Sequence, residues 1–162
     1  MLLGSGYVAQ GGKDGSIRLL QFGSARGSAP RRGGETQVVS TPSGGDLFTA
    51  PAVWHTGGKT WLFAADNGGT AAWNFANGRL KQVWNNGNGG TSPVIAGGLL
   101  YVYDPGGSLR VYEPATGRQI AELDSGGGHW NSPIVVDGRI ALPEGNANQH
   151  RTTGVLNIWR LP

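Results

Sequence analysis

Ser92-Pro93-Val94-Ile95-Ala96-Gly97-Gly98-Leu99-Leu100-Tyr101-Val102-Tyr103-Asp104-Pro105-Gly106-Gly107-Ser108-Leu109-Arg110-Val111-Tyr112 opens the part of the chain in which the fold is easiest to read. It continues through Glu113-Pro114-Ala115-Thr116-Gly117-Arg118 to Gln119-Ile120-Ala121-Glu122-Leu123. Runs of β-branched and aromatic residues, each only a few residues long, alternate with turn residues. Residues 92–96, 99–103, 108–112 and 119–123 read as four successive strands, A to D. Gly97-Gly98 turns A into B, Asp104-Pro105-Gly106-Gly107 turns B into C, and Pro114-Ala115-Thr116-Gly117 turns C into D. Glycine supplies positive φ and proline pre-sets the turn. Strands joined by turns this short must pair with their neighbours as an antiparallel meander.

The same unit recurs on both sides of this stretch. Residues 15–21, 69–74, 107–113 and 154–160 carry one phrase, Gly followed by an alternating strand, and they superpose without gaps. A second phrase precedes three of them, centred on Pro51, Pro93 and Pro133 at spacings of 42 and 40 residues. A period near 40 with four short strands per repeat is the pattern of propeller blades, not of paired-helix arrays. The expected architecture is an all-β, partial β-propeller of about 3.5–4 four-stranded antiparallel blades forming one domain over residues 1–162. Blade 1 covers about 1–45 with an insertion at 22–35, blade 2 about 46–90, blade 3 about 91–128, and an incomplete blade 4 about 129–162. At the ends, strand A of the first blade and strand D of the last are expected to be missing. An unpaired strand edge invites pairing with another chain.

Composition narrows the functional classes. Gly is 30 and Pro 9 of 162 residues, which approaches disorder, but 38% hydrophobic residues with six Trp provide the apolar surface that folding requires. The glycines therefore punctuate strands. With no Cys, disulfides, thiolate metal sites and Cys nucleophiles are ruled out. The longest apolar stretch, at 94–103, is broken by Gly97-Gly98 and falls far short of a membrane span, and Met1-Leu2-Leu3 is too short for a secretion signal. The net charge of +3 is matched in size by Arg26, Arg31 and Arg32 in one Gly/Ser/Pro-rich insertion, which leaves no nucleic-acid stripe elsewhere. That insertion reads either as a contact for an anionic surface or as a solvated loop. No Gly-x-Ser-x-Gly elbow, P-loop or zinc spacing is present, and His55, His129 and His150 are scattered.

On the phrases at 92–102 and 107–118, the chain resembles the pyrroloquinoline-quinone-repeat (quinoprotein-like) β-propellers, as a C-terminal partial propeller. The resemblance runs through nearly the whole chain and is weakest over residues 22–46. It implies a ring that commonly has eight blades, and a bacterial periplasmic or otherwise extracytoplasmic location. It also implies one of two functions. Some members are dehydrogenases of sugars or alcohols that hold the quinone and a calcium ion over the ring axis; others are binding scaffolds without a cofactor, such as the outer-membrane barrel-assembly lipoprotein. The family's docking Trp falls four residues after the Gly between strands C and D. Here those positions are Gln82 and Ala121, with Trp84 and Leu123 two residues further on as substitutes for packing. That departure favours the scaffold: no catalytic residues, no cofactor, and either a protein partner or further N-terminal blades to complete the ring. A homodimer in which the missing A and D strands complement each other, four blades per copy, is the other expected route to an eight-bladed ring.

Three places are candidates for binding. His129-Trp130 precedes strand A of the last blade, with Phe48 and Gly90 in the equivalent places before Pro51 and Pro93. An aromatic residue there either stacks on a ligand or partner, or packs between blades. The B–C connection of the last blade, residues 143–153, is long and polar; Glu144, Asn146, Asn148 and His150 alternate, with Arg151 beside them, so it is either a ligand loop or a surface insertion. Under the dehydrogenase reading, Glu144, Arg151 or Trp130 would reach quinone and calcium. Asp66 and Asp104, in Asp-x-Gly-Gly turns, read as calcium ligands or as carboxylates that cap their own turns. Two isolated carboxylates supply too few oxygens for calcium.

Overall fold

Four antiparallel sheets follow one another along the chain in the computed structural model, which describes residues 1–22, 34–145 and 154–160. Blade 1 is β1 (Leu2–Gly4), β2 (Tyr7–Gly11), β3 (Ser16–Gln21) and β4 (Glu35–Ser40). Blade 2 is β5 (Ala52–Thr56), β6 (Lys59–Ala65), β7 (Thr70–Ala76) and β8 (Arg79–Asn86). Blade 3 is β9 (Val94–Ala96), β10 (Leu99–Asp104), β11 (Ser108–Tyr112) and β12 (Gln119–Asp124). Blade 4 is β13 (Ile134–Val136), β14 (Arg139–Pro143) and β15 (Leu156–Arg160). In each sheet the spatial order equals the chain order, and the inner strands β5, β9 and β13 lie next to one another. This is a partial β-propeller of about four blades. Arg26, Arg31, Arg32, Asn146, Asn148, His150 and Arg151 lie outside the described residues.

The first blade corrects one expectation. Its strand A is present as β1, with Leu2 opposite Val8 and Gly4 opposite Tyr7, and the Met1 ammonium donates to the Ala9 carbonyl at 2.6 Å. Three residues without the Pro that marks the other inner strands left no readable signature. At the other end, among the described residues, blade 4 stops at its third strand.

Blade packing comes from the period-2 alternation of the strands, which sends successive side chains to opposite sheet faces. Ile17, Leu19 and Ala9 of blade 1 pack on Leu62, Ala64 and Trp73 of blade 2. Phe63, Trp61 and Ala72 of blade 2 pack on Leu100, Val102 and Tyr112 of blade 3. Tyr101, Tyr103, Leu109 and Val111 of blade 3 pack on Ile140 and Leu142 of blade 4. Each fully buried Leu or Phe in these layers contributes about 1.5–3 kcal/mol relative to exposure. Every blade therefore has a leading face, towards the next blade, and a trailing face, towards the previous one.

The ungapped superposition of the C-strand phrases fails in blade 2. Ile17 and Leu109 face forward into the next blade, but Ala71, their counterpart in the phrase, faces backward into blade 1; Ala72 takes the forward position. The β6–β7 ladder runs further towards its turn, with Ala65 opposite Thr70 and Phe63 opposite Ala72. A one-residue slip of this kind reverses every side chain on a strand. In structural register, Val39, Trp84 and Leu123 are equivalent. They sit opposite Ile17, Ala72 and Leu109, and each packs on the cluster ahead of it.

Candidate functional site: the loop face of the arc

One end of each of blades 1 to 3 carries the B–C turn and the crossover loop that leads from its outer strand to the next inner strand. These loops interlock. Leu47 N–H donates to the Gly12 carbonyl (3.1 Å), Gly90 N–H to Asp66 (2.9 Å), Thr91 N–H to Tyr103 (2.8 Å) and Gly128 N–H to Pro105 (3.1 Å). The crossover loops are also tied sideways. Ala50 N–H donates to Ser92 Oγ (2.9 Å), the buried Thr91 hydroxyl to the Asn131 carbonyl (2.5 Å), and Asn131 Nδ2 to the Pro143 carbonyl (2.5 Å). Consecutive polar residues just before each inner strand thus brace three blades into one platform.

On that platform Phe48 and Trp130 meet. Their ring centroids are 5.3 Å apart with planes 33° from parallel, and the residues keep 44% and 42% of their surface exposed. They come from the crossover loops into blades 2 and 4. Between them, the loop into blade 3 has Gly90 at the matching position, so no side chain intervenes. A Cβ at Gly90 would lie 2.4 Å from Val102 Cγ1 and 2.8 Å from the Tyr103 carbonyl oxygen, so the loop can approach this closely only with glycine. His129 packs edge-on to Trp130 with centroids 5.0 Å apart, and Lys13 Nζ stands 4.7 Å from the Phe48 centroid. Two half-exposed rings flanked by a cation suit stacking and cation–π contacts with an incoming group.

The carboxylates on this face hold the scaffold together. Asp66 accepts from Gly68 N–H (2.9 Å), Gly69 N–H (2.8 Å) and, from the loop into its own blade, Ser43 N–H (2.8 Å). Asp104 accepts from Gly106 N–H (2.8 Å) and pairs with Arg110 at 2.7 Å. Glu144 accepts from Gly126 N–H at 2.5 Å and from the Asn157 amide. The Gly126 bond first, then Asn157, holds the Glu144 carboxyl below its usual range against a smaller opposing effect of burial. Tyr103 donates its hydroxyl to the Gly126 carbonyl at 2.7 Å, and burial, then the charges of Glu144 and Asp104, raise its pKa.

Sequence reading missed the Arg110 cluster. Besides Asp104, Arg110 reaches Glu122 at 3.6 Å and the Gly89 carbonyl at 3.3 Å, beside a cleft of about 300 Å³ lined by Asn67, Gly89, Gly90, Asp104 and Pro105. A signal for it was available. Arg18 occupies the same place in the blade 1 phrase and likewise pairs with two acids, Asp14 at 2.5 Å and Glu35 at 3.4 Å.

Among the described residues, no group of three or more His, Asp or Glu converges on a metal position. Asp66, Asp104 and Glu144 sit in separate blades, each taken up by backbone donors.

No family model matches the chain, and no curated protein sequence matches it significantly. Solved structures do. The computationally designed Ika4 protein superposes with a TM-score of 0.64 at 12% identity, over 98% of this chain and 88% of that one. The computationally designed Ika8 protein gives 0.61 at 13% identity, over 99% of this chain and 44% of that one. A europium-containing methanol dehydrogenase gives 0.54 at 11% identity, over 71% of this chain and 24% of that one. They share the β-propeller fold. The chain spans less than half the length of the last two.

Proposed function

We propose that this arc is a non-catalytic, quinoprotein-like propeller segment that belongs to a larger ring and works as a binding scaffold for a protein partner. An extracytoplasmic location is part of the same proposal. The observation that carries the reading is the Phe48–Trp130 pair. Two large aromatic residues from non-adjacent blades are held together at the surface, on loops braced by the hydrogen bonds of the buried Thr91 hydroxyl and the Asn131 amide. Rigid, half-exposed aromatics of this kind are the residues that dominate protein interfaces. The surrounding carboxylates support the reading too, since their lone pairs are spent on backbone N–H groups rather than directed at a reacting atom.

The test is selection of a displayed library of short random peptides against the folded chain, followed by affinity measurement on a Phe48→Ala/Trp130→Ala variant. Loss of binding by at least about ten-fold, equivalent to about 1.4 kcal/mol, is expected. Peptides that bind the double variant equally well overturn the site. In a separate titration, pyrroloquinoline quinone with calcium is expected to give no saturable isotherm; stoichiometric binding would restore the dehydrogenase reading.

A further inference from the structure

The two ends of the arc present sheet faces built like the interior interfaces but left uncovered. On the leading face of blade 4, Ile134, Val136, Leu156 and Ile158 are 58–64% exposed. Their register equivalents in blade 3, Val94, Ala96, Leu109 and Val111, are the residues that pack against blade 4. The opposite end mirrors this. On the trailing face of blade 1, Leu2 occupies the place of Ile95 and Leu20 that of Tyr112, both of which pack against blade 2 in blade 3. Leu2 and Val38 on this face are 63% and 54% exposed. Contiguous apolar faces of this kind mark interaction surfaces.

Charge distinguishes the two faces. The leading face of blade 4 carries Arg139 and Arg160, directly opposite each other in the ladder. Among the described residues, the trailing face of blade 1 carries Asp14 and Glu35 around Arg18. The inner junctions give the alignment. Tyr7 of blade 1 rests on Phe75 of blade 2 with centroids 5.1 Å apart, and Phe75 lies opposite Leu80 in its ladder. Blade 4 has Arg139 at the position of Tyr7. Blade 1 has Leu20 at the position of Phe75, with Glu35 opposite it. Docking the two end faces as the inner blades dock therefore sets Arg139 beside Leu20 and Glu35.

We infer that the leading face of blade 4 docks on the trailing face of blade 1 of a second copy of this chain, and that two copies close one ring. This rests on the larger-ring part of the reading above and is independent of the aromatic site. The contact is head-to-tail and occurs twice, related by the two-fold axis of the ring, so no apolar end face is left open. The arc matches 44% of the Ika8 chain along nearly its whole length, so two arcs end to end account for most of a propeller of that curvature.

Sedimentation equilibrium on the 162-residue chain tests this. A mass twice the chain's 16.9 kDa is expected at micromolar concentration. Arg139→Glu, at an exposed position, is expected to raise the dimer dissociation constant at least ten-fold with an unchanged circular dichroism spectrum, and adding Glu35→Arg to restore it. Ile158→Asp is expected to give a monomer. A monomeric wild-type chain, an open-ended series of larger species, or a double variant no tighter than Arg139→Glu overturns the second-copy assignment. The aromatic site stands or falls separately, on the peptide selection.

Discussion

Trp84 and Pro114 join two blades through one hydrogen bond. The indole N–H, on the outer strand of blade 2, donates to the Pro114 carbonyl at 2.8 Å, in the outer turn of blade 3. The ring lies across Gly117, whose φ is +71° and whose added Cβ would fall 2.6 Å from Trp84 Cδ2. The ring also stands 6.4 Å, centroid to centroid, from both Phe63 of its own blade and Tyr112 of the next. Trp84, two residues beyond Gln82, clamps adjacent blades.

Trp84→Ala removes both the packing and the donor of a partly buried side chain, so a loss of about 2–3 kcal/mol is expected, at the low end of the range for large-to-small core changes. Gly117→Ala is expected to cost more than about 1 kcal/mol, because it adds left-handed backbone strain to the steric overlap with the ring. Urea unfolding of both variants measures this; a Gly117→Ala protein as stable as wild type would contradict the clamp.

The loop platform depends on Thr91, whose buried hydroxyl donates to the Asn131 carbonyl. Thr91→Val keeps the shape and deletes the donor, and a loss of about 0.5–1.5 kcal/mol is expected from removing the hydrogen bond. Chemical denaturation gives the stability change. The Trp130 indole N–H signal in two-dimensional NMR reports whether its loop shifts with it.

The aromatic pair should behave in the opposite way. Phe48 and Trp130 are nearly half exposed, so replacing either with Ala is expected to change stability by less than about 1 kcal/mol while peptide binding is lost. Thermal unfolding alongside the binding assay separates the two effects. A large stability loss would make the pair a packing element.

Acidification should weaken the fold from the usual carboxylate range downward. The carboxyls of Glu144, Glu113, Asp14 and Glu122 are all held below their ordinary values, led respectively by the Gly126 N–H, the Thr116 hydroxyl, Arg18 and the Ser108 side chain. A group whose folded pKa is depressed stabilises the protein above its unfolded value, near pH 4, and loses that contribution as pH falls through the folded value. Glu144→Gln is therefore expected to flatten the stability–pH curve below about pH 4. Denaturation midpoints measured between pH 3 and 7 provide the check; identical slopes for variant and wild type would contradict the role given to Glu144.

The architecture was legible because each turn in blade 3 carries its own Gly or Pro signal, and nearly all its strands were found within a residue or two. Two features were not. β1 is three residues held mainly by pairing with β2 across the Ser5-Gly6 turn, rather than by its own composition. The slip in blade 2 is invisible in a phrase match, since Thr70-Ala71-Ala72 offers small residues to both faces and only the packing of Phe63 and Trp73 selects the register. At the site, Trp130 and its equivalence to Phe48 were readable from their spacing to proline. Their contact was not, because it runs between loops 82 residues apart in sequence and requires the glycine between them.

The most direct measurement of binding at the loop face is two-dimensional NMR of the six indole N–H signals as a selected peptide is added. A shift of the Trp130 signal, with those of the buried Trp61 and Trp73 unmoved, is expected. Saturable binding that leaves Trp130 unmoved would place recognition elsewhere on the arc and contradict the function assigned to the Phe48–Trp130 pair.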